Sequence, residues 1–91
     1  MKKVLVIGAG FLQTTLIKKA KECGLYTIAI DGNRNAPGFF YADEWKCIDI
    51  TDENHCLEYA KEKQIDGVIT AATDYGILTM AKIAEELKLP G

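Results

Sequence analysis

The residues best placed for chemistry are Gly8 and Gly10, which follow the apolar run Val4-Leu5-Val6-Ile7 and precede Phe11, Leu12 and Gln13. Glycines at this spacing let a strand turn tightly into a helix and let backbone approach a ligand. The amides that open the helix then form an anion site, aided by the helix dipole. A dinucleotide fingerprint asks for a third glycine where Gln13 stands, so that helix and strand can pack closely. A glutamine there offers a bound ligand both a donor and an acceptor. Asp31 closes the next apolar run, Tyr26 to Ile30, at the place where a carboxylate accepts hydrogen bonds from a ribose diol in dinucleotide enzymes. Arg34 follows in the loop and can meet an anionic group. Thr73 and Asp74, after the run Gly67 to Thr70, read first as a helix cap and second as ligand contacts.

Nucleophilic chemistry has little to work with. The chain has no serine, which excludes a Ser-His-Asp triad, and its one histidine, His55, sits beside Cys56, where the two side chains diverge on a helix. Cys23, Cys47 and Cys56 lack zinc-ligand spacing and read as buried reduced thiols. No residue is therefore assigned a catalytic or metal-binding role. The 11 Lys and Arg against 13 Asp and Glu give a net charge of -2, which leaves no nucleic-acid footprint. The first apolar run is far shorter than a signal-peptide core or a membrane span. A soluble, cytoplasmic protein with neither a nucleic-acid nor a membrane partner is expected.

These candidates need a scaffold that gathers strand ends. The 91 residues suffice for one core. Lys3 to Ile7, Tyr26 to Ile30, Trp45 to Ile48 and Gly67 to Thr70 read as strands, the first of them buried on both faces. Helical spacing covers Phe11 to Glu22, with Leu12, Leu16 and Ala20 inward and Gly24 as the stop. It recurs over Asp52 to Gln64, with Cys56, Leu57 and Ala60 inward and Thr51 or Asp52 as cap. It appears again over Ile77 to Leu87, with Met80, Ile83, Ala84 and Leu87 inward and Thr73 or Asp74 as cap. Alternating strands and helices predict an α/β fold: a three-layer, Rossmann-like half with a four-stranded parallel sheet in the order 3-2-1-4 and three helices. Ligands bind such a sheet beyond the carboxyl ends of its strands, which collects Gly8 to Gln13, Asp31 to Asn35, Asp49 to Asp52 and Thr70 to Tyr75. The long segment Gly32 to Asp43 carries function or covers something.

The order and spacing of V-L-V-I-G-A-G-F-L-Q, L-I-K-K-A-K-E-C-G-L, I-D-G-N-R-N-A-P-G-F-F-Y-A-D, I-D-G-V-I-T-A-A-T-D and A-E-E-L-K-L-P-G carry a resemblance over the whole chain. It resembles the N-terminal, pre-ATP-grasp domain of ATP-grasp carboxylate-amine ligases, such as the carbamoyl-phosphate synthase large subunit, the ATP-dependent aminoimidazole ribonucleotide carboxylase and biotin carboxylase. The resemblance implies a ligase that uses ATP and magnesium to activate a carboxylate as an acyl phosphate for attack by an amine. It implies that residues 1–91 are the pre-ATP-grasp domain, a piece of a longer ligase and inactive alone, with the ATP and metal sites in other domains. Gly8, Gly10, Phe11 and Gln13 would line the pocket for the small carboxylate or amine substrate, with Asp31 at its second edge and Thr73 and Asp74 closing the side after the fourth strand; Arg34 joins the substrate contacts from its place in the loop. The remaining ATP-grasp domains would be its partners, and a homodimer fits the family. Two other readings compete. An NAD-binding module of an oxidoreductase follows from Gly8, Gly10 and Asp31, and an oligomerising unit follows from Phe39, Phe40 and Tyr41 if those aromatics are exposed.

Overall fold

The computed structural model describes residues 2–70 and 74–89. Strands β1 (Lys3–Ile7), β2 (Tyr26–Asp31), β3 (Glu44–Cys47) and β4 (Gly67–Thr70) alternate with helices α1 (Gln13–Glu22), α2 (Glu53–Lys63) and α3 (Asp74–Leu87). A short 3-10 helix, Pro37–Phe40, interrupts the long segment between β2 and β3. The sheet is parallel in the order β3-β2-β1-β4, as the alternation predicts. Val6 pairs with Ala29 and Ile69, which makes β1 a central strand and explains its unbroken apolar run.

Side chains alternate across the sheet, so each strand feeds two cores. Leu5, Ile7, Ile28 and Ile30 meet Cys56, Leu57 and Ala60 of α2 and Ile83 of α3 on one side. Val6 and Ala29 meet Ile17 of α1, together with Ala36 and Phe39 of the long segment, on the other. Met80, Ala84 and Leu87 pack on the larger core, as their spacing predicts.

Three expectations are corrected. Helix α1 buries Gln13, Ile17 and Ala20 rather than Leu12, which is 79% exposed, because the helix begins at Gln13 and leaves Leu12 at its cap. Cys23 and Cys47 are exposed and only Cys56 is buried, and all three are free thiols. Phe39 is not an exposed aromatic: it is buried and stacks on Trp45 with ring centroids 4.5 Å apart. Tyr41 lies beneath Lys18 Nζ at 4.3 Å, and Phe40 alone of the three projects, at 86% exposed. The cap of α2 is Asp52, whose carboxylate accepts from the His55 N–H at 3.2 Å. Among the described residues no helix is long and apolar enough to cross a membrane.

Candidate functional site at the carboxyl ends of the strands

Strand order reverses between β1 and β4, and in open α/β sheets the crevice above such a point is where ligands bind. The turn after β1 forms its near wall. Gly8 has φ +91, a left-handed value that makes glycine necessary, and its N–H donates to the Ile30 carbonyl at 2.8 Å. The Gln13 side chain is buried and lies over the two glycines: a Cβ placed on Gly10 would stand 3.0 Å from Gln13 Oε1, and one on Gly8 would stand 3.6 Å from its Nε2. Gln13 thus fills the space that the third glycine of a dinucleotide turn leaves open. The Gln13 and Thr14 N–H groups donate to the carbonyls of Gly10 and Phe11 at 3.0 and 3.3 Å.

The segment after β2 is tied to this turn. Asp31 Oδ2 accepts from the Ala9 N–H at 2.8 Å, and Oδ1 accepts from the Asn33 N–H at 2.8 Å. Gly38 N–H donates to the Ala9 carbonyl at 2.7 Å. The segment after β3 joins through Gly32, where a Cβ would lie 3.7 Å from Asp49 Cα, and through Cys47 Sγ, 3.3 Å from the Gly32 carbonyl. Asp49 accepts from the Thr51 O–H at 2.7 Å and N–H at 2.9 Å, and these bonds hold its carboxyl below the ordinary aspartate value. Thr79 O–H donates to the Ile50 carbonyl, fastening α3 to the same end. Thr70 O–H donates to the Ile7 carbonyl at 2.9 Å and holds the ends of β4 and β1 together.

Of the residues singled out from the sequence, Gly8, Gly10, Gln13 and Asp31 come together. Phe11 follows them on the turn at 82% exposed, and Arg34 is exposed in the loop beyond. Thr73 lies outside the described residues, as do residues 71 and 72 of the segment Thr70 to Tyr75; Asp74 opens α3. Two sites were not anticipated. Ala9 uses both of its backbone groups internally, and Gly38 meets it at close range. The signal was the Pro37-Gly38 pair, which reads as loop punctuation when no partner for the glycine is known. Burial pushes the Cys56 thiol up to about 11, which leaves it protonated at neutral pH and no nucleophile, while its neighbour His55 is exposed.

Two cavities lie elsewhere. One of about 160 Å³ is lined by Lys46, His55, Glu58, Tyr59 and Glu62, and one of about 230 Å³ opens at the amino ends beside Lys2, Leu25 and Asp66. Neither touches the glycine turn.

A family model described as PylC-like, N-terminal domain matches residues 4–91. Formate-dependent phosphoribosylglycinamide formyltransferase from Prochlorococcus marinus subsp. pastoris is 34% identical over 85 residues, covering 93% of this chain and 22% of that protein. The crystal structure of phosphoribosylglycinamide synthetase from Anaerococcus prevotii superposes with a TM-score of 0.90 at 37% identity, over 99% of this chain and 23% of that one. N5-carboxyaminoimidazole ribonucleotide synthetase from Thermotoga maritima gives 0.78 at 27% identity, over 94% of this chain and 23% of that one. The chain thus spans less than a quarter of the length of these relatives.

Proposed function

The chain belongs to the PylC-like N-terminal domain family, the amino-terminal domain of ATP-grasp ligases, and from that premise we propose that residues 1–91 form one pre-ATP-grasp domain that supplies the acceptor-substrate side of such a ligase. What carries the reading is the unbroken match over residues 4–91, together with a glycine turn placed at the point where strand order reverses. In such a ligase ATP supplies the phosphoryl group that activates a carboxylate for attack by an amine. The reading assigns ATP and magnesium to the other domains of that ligase, because the chain spans less than a quarter of its relatives' length, and gives this domain no catalytic residue. The part left to these residues is binding and orientation. Gly8, Gly10, Phe11 and Gln13 form the substrate-facing turn, with Arg34, Thr73 and Asp74 at its margins.

The three relatives are named for phosphoribosyl compounds, two for phosphoribosylglycinamide and one for a ribonucleotide, so a phosphoribosyl amine is the acceptor to test first. An NAD-binding role is less favoured: Gln13 occupies the fingerprint's third glycine position, and Asp31 is already bonded to two backbone amides. Titrating the isotope-labelled chain separately with phosphoribosylglycinamide and with NADH, and following backbone amides by NMR, tests the choice. Shifts confined to residues 8–13 with the first compound are expected. A response to NADH alone overturns the reading.

A further inference from the structure

Ala9, in the middle of the glycine turn, has both of its backbone polar groups bonded. Its N–H is held by Asp31 at 2.8 Å and its carbonyl by the Gly38 N–H at 2.7 Å, so the end of β2 and the segment after it grip it from both sides. The grip is tight: a Cβ on Gly38 would lie 2.7 Å from the Ala9 oxygen and 2.9 Å from Ile17 Cδ1. Ala36 and Phe39, on either side of the Pro37-Gly38 pair, are buried in the smaller core, which anchors the grip. The same carboxylate holds the segment's first turn through Asn33. Asp31 therefore joins the turn after β1 to the loop after β2 with both of its oxygens, at the position where the dinucleotide fold uses an acid for ribose.

We propose that Asp31 is a positioning residue: its carboxylate, with Gly38 opposite, holds the Gly8 to Gln13 turn in one conformation for its ligand and does not itself touch that ligand. The proposal rests on the reading that this turn faces the substrate. With Ala9 consumed, and the Gly10 and Phe11 carbonyls accepting from Gln13 and Thr14, the backbone groups that the turn offers a ligand are the N–H groups of Gly10, Phe11 and Leu12.

The test uses the 91-residue chain labelled with ¹⁵N and ¹³C. In the wild type, a through-hydrogen-bond coupling between the Ala9 nitrogen and Asp31 Cγ is expected. Asp31→Asn replaces one acceptor oxygen with an NH₂ donor, so one of the two amides must lose its partner. Exchange at Ala9 or Asn33 then accelerates on the order of tenfold, as for a hydrogen bond to a charged acceptor. The Gly10 to Leu12 resonances shift while the amides of Leu5 and Ile28 keep their protection. Absence of the coupling, or unchanged exchange at both amides, overturns the proposal. Titrating the wild type with phosphoribosylglycinamide separates positioning from contact. Moving amides at Gly10 to Leu12 with a stationary Asp31 Cγ supports positioning, and an Asp31 Cγ shift as large as those of the amides overturns it. A turn that ignores the compound counts against the substrate reading, while the exchange experiment still decides what Asp31 holds.

Discussion

At the amino ends of the strands, Glu44 accepts from Lys63 Nζ and from the Tyr26 O–H, each at 2.7 Å, Asp43 accepts from the Thr27 N–H at 2.8 Å, and Asp66 accepts from the Lys3 N–H at 2.8 Å. Each of these bonds joins elements far apart in the chain. At the carboxyl ends Asp49 and Asp52 bond amides two or three residues ahead, at Thr51 and His55. The acids of one end fasten neighbouring strands to one another and, through Lys63, α2 to the sheet, and those of the other shape the loops in which a binding surface is built. Asp31 does both, reaching Asn33 in its own loop and Ala9 in another.

Two glycines sharpen the contrast. Gly38, at the carboxyl end, is required by space, because a Cβ there would lie 2.7 Å from backbone oxygen. Gly24, before β2 at the amino end, has nothing within 4 Å of its would-be Cβ but has φ +82. Gly38→Ala is the most damaging change considered, at roughly 1–3 kcal/mol from overpacking. Gly24→Ala costs about 1 kcal/mol from the left-handed backbone. Asparagine reverses the pattern: Gly24→Asn costs less than alanine, because asparagine tolerates that conformation, and Gly38→Asn costs more, because it is larger. Urea unfolding of the four variants checks this, and equal effects of alanine and asparagine at both sites would dissolve the distinction. Asp52→Ala, which removes the cap of α2, also costs about 1 kcal/mol by the same measurement.

Strands β1 and β2 were readable because a continuous apolar run ending in glycine or aspartate has few interpretations in a chain this short, whereas β3, expected over Trp45 to Ile48, forms one residue earlier over Glu44–Cys47, where charged residues break the apolar pattern. Lys3–Ile7 and Gly67–Thr70 carry the boundaries their composition predicts. The glycine turn and Asp31 were readable as neighbours for the same reason, since parallel register sets the ends of β1 and β2 side by side at Ile7 and Ile30. What Asp31 bonds to was not readable. Its partner Ala9 contributes only a backbone amide, which no residue type advertises. Leu12 and Phe39 exchanged their expected environments because helix α1 starts one residue later than Leu12, and because one turn of 3-10 helix aims Phe39 inward beside a glycine. Both depend on contacts between segments that a period of four or a run of aromatics does not encode.

The smallest expected effect tests the amino end through pH. The Lys63 ammonium and the Tyr26 O–H, donating to Glu44, hold its carboxyl below the ordinary glutamate value of 4.5. A carboxyl lowered by folding contributes stability that is complete above that ordinary value and is lost as the pH falls through the folded one. Lys63 is raised above 10.5, chiefly by donating to Glu44, so its contribution is complete below that value and fades as the pH climbs through the folded one. Glu44→Gln removes both limbs together. Its difference from wild type in urea midpoint is a plateau through neutral pH that shrinks on the acid side and again on the alkaline side. Added salt lowers the plateau, because Lys63 and Glu44 are 27% and 32% exposed and the pair is partly screened. Acid sensitivity does not vanish in the variant, because Asp43, lowered by its bonds to Thr27, still protonates at the amino end and Asp49, lowered by its bonds to Thr51, at the other. A variant that lost all acid dependence would mean that the local acids of the carboxyl end contribute nothing to stability, and the division of labour between the two ends would fail there.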